Sequence, residues 1–167
     1  MKFGGTRTPA ALFGKALLAG ALLVLAAACS PNPTELNVTV RTSSSVNPNA
    51  DSQPSPIVVR IYALKSTKTF EGADFFALFD TDSKTLGGDM LDKKEFEMAP
   101  GKSEQYKAKV SDESEFVGVM AGYRDINNAT WQATMPIKPN ATNNVDVKVE
   151  LLSVSVAPPP SSWWWPF

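Results

Sequence analysis

Residues 57–64 read IVVRIYAL. Valine, isoleucine, tyrosine and leucine occupy both alternating faces of this stretch, and β-branched and aromatic side chains fit a pleated strand better than a helix. A strand that is apolar on both sides must be covered on both sides. IVVRIYAL is therefore expected at the centre of a sheet, in a fold of more than one layer.

Other segments supply the neighbours. Glu35 to Thr42 alternates with Leu36, Val38 and Val40 on one side, the pattern of a half-buried strand. Lys94 to Ala99 alternates through Phe96 and Met98, and Pro100-Gly101 then marks a turn. Gln105 to Val110 alternates through Tyr106, Ala108 and Val110, and Glu115 to Tyr123 is largely apolar, a second central strand. Thr130 to Ile137 offers Trp131, Ala133 and Met135. Asn144 to Val156 repeats valines at 145, 147 and 149 and is read as one long strand. Short strands separated by turn residues predict an antiparallel β-sandwich over residues 35–156. No repeat of solenoid or propeller period is present.

Two stretches depart from the strand pattern. Phe75, Phe76, Leu78 and Phe79 in GADFFALFDT suit a short helix, and Leu86, Met90 and Leu91 recur at helical spacing across Gly87-Gly88. Two short helical pieces against a sheet edge are expected, an insertion at about residues 70–91. Ser43 to Pro56, SSSVNPNADSQPSP, excludes regular structure by its prolines, asparagines and serines. Connections inside compact domains are typically about 4–6 residues, so this loop is long. Composition alone leaves binding and plain disorder equally open.

The first 28 residues belong to something other than the fold. They hold Lys2, Arg7 and Lys15 and no acid, and the apolar stretch Ala16 to Ala28 is shorter than the roughly 20 residues that span a bilayer. A cationic start, a short apolar centre and small residues at its end predict an export signal over residues 1–28. Without those residues 13 bases stand against 17 acids, a net charge of −4. That balance disfavours nucleic acid and a polybasic membrane patch.

Cys29 follows at once and is the chain's single cysteine. Disulfide-built secreted domains carry cysteines in pairs. Leu25-Ala26-Ala27-Ala28-Cys29 instead resembles a bacterial lipobox, with Ala26 where leucine is usual. Cys29 is accordingly expected to carry covalent acyl and diacylglycerol lipid, the one attached group foreseen. Several buried chains, at about 0.8 kcal/mol per methylene, make such an anchor stable. Ser30, in place of the usual inner-membrane retention aspartate, implies the outer membrane and its periplasmic face. Residues 29–34, with Pro31 and Pro33, read as an extended lipidated tether.

Catalytic constellations are scarce. The chain has no histidine, which removes the commonest general base and metal ligand and every Ser-His-Asp triad. Asp80 and Asp82 open something like a calcium loop, but Lys84, Thr85 and Leu91 stand where further ligands, a glycine and a glutamate belong. They are read as solvated helix-capping acids, no metal is expected, and Asp112, Glu113 and Glu115 are read as a solvated turn. Three Asn-X-Thr tripeptides, at Asn37, Asn128 and Asn140, are incidental in a bacterial lipoprotein. Residues 157–167, APPPSSWWWPF, place Trp163 to Trp165 and Phe167 after three prolines. An interfacial foot, a docking element and a plain appendage all remain open for this tail.

SPIVVRIYALKS (Ser55 to Ser66), FEGADFFALFD (Phe70 to Asp80), APG (Ala99 to Gly101) and GVMAGYRDINNATWQ (Gly118 to Gln132), in that order, resemble the TssJ lipoproteins of bacterial type VI secretion systems. The resemblance runs from the lipobox through Leu152, and the WWWPF tail lies outside it. It implies a transthyretin-like β-sandwich with a small helical insertion after the second strand. It also implies a non-enzymatic, outer-membrane structural subunit of the type VI membrane complex. Such a subunit binds the periplasmic part of TssM, with TssL in the same complex. In that family the loop between the first two strands contributes to TssM binding, which points to Ser43–Pro56 and, within it, to Asn47, Asn49, Asp51 and Gln53. Tyr62, Phe75, Phe76, Tyr123 and Trp131 are expected to fill the core or pin the insertion. Arg124 is expected to be buried with Asp125 or Asp74. The other functional reading is a periplasm-facing carrier of a small apolar ligand, which would need an apolar pocket with convergent polar groups.

Overall fold

The computed structural model describes residues 32–160, together with Met1 and Gly4. The expected export signal, Cys29 and the aromatic residues Trp163 to Phe167 lie outside the described residues. Eight strands and two helices follow in the order β1 (Thr34–Thr42), β2 (Ile57–Leu64), α1 (Lys68–Gly72), α2 (Phe75–Leu86), β3 (Met90–Met98), β4 (Ser103–Val110), β5 (Phe116–Ala121), β6 (Gln132–Pro136), β7 (Thr142–Val149) and β8 (Val154–Ala157). They form two four-stranded sheets, β4-β1-β7-β8 and β3-β2-β5-β6. The sandwich with a helical insertion is therefore as the sequence reads.

The inward alternation of each strand fills the space between the sheets. Leu36, Val38 and Val40 from β1 and Val145, Val147 and Val149 from β7 meet Val59 and Ile61 from β2 and Val117 and Val119 from β5, all buried. Each such side chain contributes about 1.5–3 kcal/mol by leaving water. β2 is flanked by β3 and β5, so IVVRIYAL is central as its composition requires. Pro136 falls in β6, an edge strand, where a missing N–H costs no ladder bond.

Several details differ from the sequence reading. β1 and β7 pair in parallel, Val38 beside Val145 and Val40 beside Val147, so one ladder of the sandwich is not antiparallel. The run Asn144 to Val156 is two strands, β7 and β8, folded back at Glu150–Ser153, where the Glu150 N–H donates to the Ser153 carbonyl at 2.8 Å. Met90 and Leu91 belong to β3 and not to a helix. α2 stops at Gly87, whose φ of 52° a side chain would disfavour, and Met90 already pairs with Leu64.

The helical insertion lies on the outer face of the β3-β2-β5-β6 sheet and not at its edge. Phe70 of α1 and Leu78 and Leu86 of α2 form a second core with Tyr62 and Leu64 of β2 and Met120 of β5. Gly118 permits this approach: a Cβ there would stand 2.8 Å from Leu64 Cδ1 and 3.2 Å from the Phe70 ring. Asp74 caps α2 by accepting from the Ala77 N–H at 2.9 Å.

Candidate partner-binding surface

The β1–β2 loop divides into a fixed base and an open tip. Val46 is 0% exposed and joins the main core. Asn47 is 2% exposed and adopts φ 51°, a conformation asparagine tolerates better than most residues. Its Nδ2 donates to the Pro56 carbonyl at 2.8 Å, and its Oδ1 accepts from the Arg124 N–H at 2.9 Å. Its own N–H donates to the Leu151 carbonyl, and the Ser55 N–H donates to that of Val46. Asn47 thus ties three loops together, and its side chain has no free face for a partner.

Beyond the base the chain turns on Asn49. The Asn49 Oδ1 accepts from the N–H groups of Asp51 at 3.0 Å and Gln53 at 2.9 Å, and the Asn49 N–H donates to the Gln53 carbonyl. The Asn49 side chain is consumed in shaping the turn. Ala50, Asp51, Ser52, Gln53 and Pro54 are all exposed, so Asp51 and Gln53 present their polar groups outward. Of the four loop residues singled out in the sequence, two build the loop and two are displayed by it.

Two neighbouring segments share this end of the sandwich. The β5–β6 connection is bound to the β7–β8 turn: the Tyr123 hydroxyl donates to the Glu150 carbonyl at 3.0 Å, and the Thr130 N–H to that of Leu152 at 2.9 Å. Pro48, Asn49 and Ala50 face Arg124, Asp125 and Leu152 across a shallow open cleft. Leu151 beside it is 47% exposed. Arg124 is exposed rather than buried. Asp125 accepts instead from Asn128, and Asp74 caps α2, so neither acid expected beside Arg124 pairs with it.

The half-buried arginine on this side is Arg60. On the outer face of β2 it donates to Glu95 at 2.6 Å and to the Phe79 carbonyl at 2.7 Å, and its guanidinium lies over the Phe79 ring. Asp82, only 7% exposed, accepts from the Tyr62 hydroxyl at 3.1 Å and the Lys93 ammonium at 2.8 Å, with Arg60 at 3.5 Å. Burial pushes the Asp82 carboxyl up, but the bonds from Lys93, Tyr62 and the Ser83 N–H outweigh it and hold it below its usual range. Burial, with the Asp82 charge, pushes the Tyr62 phenol up. Asp82 is thus a clamp between insertion and sheet, not a solvated cap. Among the described residues no group of acids is arranged to hold a metal.

The aromatic residues named in the sequence split in the same way. Tyr62 and Tyr123 are buried, and Phe75 packs edge-on against Trp131, pinning the insertion. Phe76 is 59% exposed and fills no core. Asp112 in the acidic turn accepts from both the N–H and the hydroxyl of Thr34, closing the start of β1, and Glu113 pairs with Lys65.

A family model described as T6SS-SciN, type VI secretion lipoprotein (VasD, EvfM, TssJ), matches residues 34–151, the whole sandwich short of β8. The chain belongs to the TssJ family. Solved structures agree. The T6SS lipoprotein TssJ1 from Pseudomonas aeruginosa is 29% identical, with a TM-score of 0.73 over 77% of this chain and 98% of that one. A chain of a type VI membrane complex is 28% identical, TM-score 0.65, over 74% of this chain and 98% of that one. A chain of the structure described as the T6SS protein TssM C-terminal domain from EAEC is 27% identical, TM-score 0.61, over the same shares. No curated protein matches. The TssJ-family match ends at Leu151, so β8 and the Pro- and Trp-rich segment lie outside it.

Proposed function

We propose that this TssJ-family chain is an outer-membrane-anchored structural subunit of a type VI secretion membrane complex, held by lipid on Cys29. The tip of its β1–β2 loop, Ala50 to Pro54, grips the periplasmic part of TssM, with TssL in the same complex, and no catalysis is involved. The observation that carries this reading is the division of the loop. A base locked by Val46 and Asn47 holds a short exposed tip in one shape, which lowers the ordering cost of binding. The likeness to chains of a type VI membrane complex and of the TssM C-terminal domain structure supports the choice of partner.

The strand geometry gives the bridge a direction. The tether enters at Thr34 and the loop leaves at Thr42, the two ends of β1. Eight residue steps at about 3.3 Å set them roughly 26 Å apart. A chain anchored through Cys29 therefore presents its loop away from the anchored end. A carrier would need an apolar cavity between the sheets. That space is instead filled by Val38, Val40, Val59, Val119 and Val147, each 0–1% exposed.

Two experiments test the two ends separately. Metabolic labelling with an alkyne fatty acid should mark the chain in membranes and fail to mark Cys29→Ser; equal labelling of the variant would remove the anchor. Replacing Ala50–Gln53 by Gly-Ser-Gly-Ser should abolish co-purification with TssM while leaving the melting temperature unchanged. Retained co-purification would move the interface off the tip.

A further inference from the structure

Asn47 fixes more than the tip of its own loop. Its side chain accepts from the Arg124 N–H at 2.9 Å, and its own N–H donates to the Leu151 carbonyl at 3.1 Å. Both bonds use backbone groups of the neighbouring loops and leave the Arg124 and Leu151 side chains outside them. Arg124 is exposed, and Leu151 is 47% exposed. Tyr123, 2% exposed, precedes Arg124 and donates its hydroxyl to the carbonyl of Glu150, the residue before Leu151. Asn47 and Tyr123 thus hold the tip, a guanidinium and a leucine in one frame.

The guanidinium has no acid of its own. The sandwich carries two other arginines: Arg41 pairs with Asp146, and Arg60 with Glu95 and Asp82. Among the described residues Arg124 makes no ion pair. Asp125, in the same cleft, accepts from the Asn128 side chain with both carboxylate oxygens, at 3.1 and 2.9 Å. Arginine offers a planar fork of donors that fits a carboxylate with two parallel bonds, and its stem adds apolar surface. Leu152 lines the cleft beside it, and Pro48 and Ala50 form the opposite wall. That wall is the root of the tip, so the cleft and the tip are one continuous surface. Its complement is a segment with a carboxylate next to an apolar side chain.

We propose that Arg124 and Leu151 make a second contact with the partner held by the tip. Arg124 takes a carboxylate of the periplasmic part of TssM, and Leu151 takes an adjoining apolar side chain. The choice of TssM rests on the reading under Proposed function; the chemistry of the complement rests on the cleft. The backbones that carry both side chains are already bonded in place, which lowers the ordering cost of the contact. Arg124 also supplies selectivity, because a partner with a cation at that position would be repelled.

The test titrates the full chain, purified in detergent, with the periplasmic part of TssM at about 0.05 M and about 0.5 M salt. Arg124→Gln should weaken binding about tenfold at low salt and much less at high salt, where screening already weakens the charge contact in the parent. Its melting temperature should be unchanged. Arg124→Lys, which keeps the charge and loses the fork, should fall between parent and Arg124→Gln. Leu151→Ala should weaken binding about fivefold at both salt concentrations, since apolar burial involves no charge. Parent-like affinity of Arg124→Gln, or a loss equal at both salt concentrations, would overturn the proposal. So would a change in the chain's own oligomeric state in place of a change in affinity, which would seat a second copy in the cleft. The variant with Ala50–Gln53 replaced by Gly-Ser-Gly-Ser is titrated alongside. If it loses binding while the Arg124 and Leu151 variants bind as the parent does, the tip remains the interface and the second contact falls. If the parent itself does not bind TssM, both fall.

Discussion

The base and the tip of the β1–β2 loop are drawn from one stretch of serine, asparagine and proline, yet they do opposite things. Val46 and Asn47 are as buried as the inward-facing side chains of β1; Ala50 to Pro54, a few residues on, are exposed throughout. Low complexity therefore does not mean uniform freedom. One valine placed in the core and one asparagine bonded to Pro56 and Arg124 turn a segment of disordered composition into a mounted projection. The base belongs to the stability of the fold, and the tip stands exposed to solvent.

Mutations separate these roles. Val46→Asp would bury an unpaired charge in the main core at a cost of several kcal/mol, comparable with the roughly 5–15 kcal/mol that holds a domain together. Loss of a cooperative thermal transition is expected, and an unaltered melt would show that the base is not part of the core. Asp82→Ala breaks the clamp under α2 and should cost about 3 kcal/mol at neutral pH, read by denaturant titration. Because the folded carboxyl is held below its ordinary range, its contribution is complete above the unfolded pKa of about 3.9 and is lost as pH falls through the lower folded value. The gap between variant and parent should therefore narrow as pH falls below the unfolded value, and a gap independent of pH would remove the ionic account.

Asn47→Ala leaves the Pro56 carbonyl and the Arg124 N–H without their partner and should cost about 2 kcal/mol. It should weaken TssM binding only through loosening of the tip; Asn47→Asp, which keeps the acceptor for Arg124 but sets a buried carboxylate oxygen against the Pro56 carbonyl, should be no more stable than Asn47→Ala. Asp51→Ala with Gln53→Ala is the smallest expected change in stability, within about 0.5 kcal/mol, since both side chains are exposed. A clear loss of TssM binding at that unchanged stability would sharpen the division between base and tip. A large fall in melting temperature would break it.

Much of the sandwich was legible because its signal is local. β1, β4, β6, β7 and the latter part of β3 follow from alternation, and β2 and β5 announce their central places by being apolar on both faces. The division between β7 and β8 was missed, although the phase of the pattern carries a signal for it. Valines fall on odd positions through Val149 and on even positions from Val154, and a strand cannot change face without a break. What could not be read were the facts that depend on distant residues. The parallel β1–β7 pairing, the burial of Asp82 by Lys93 and Tyr62, and the exposure of Arg124 and Phe76 are settled by packing between segments far apart in the chain. Asn47 and Asn49 carried a partial signal. Asn-Pro is a turn element and asparagine tolerates positive φ, so a structural role for Asn47 was as open as a binding role. Composition located the loop but could not tell its mount from its displayed face.

Site-specific photocrosslinking in cells carrying the assembled secretion system tests the central claim most directly. A photoreactive phenylalanine analogue placed at Asp51, on the tip, should give a crosslinked product that contains TssM. The same analogue at Phe76, exposed on α2 over the other sheet, should give none. A TssM product from position 76 with none from position 51 would contradict the account and place the interface on the helical insertion.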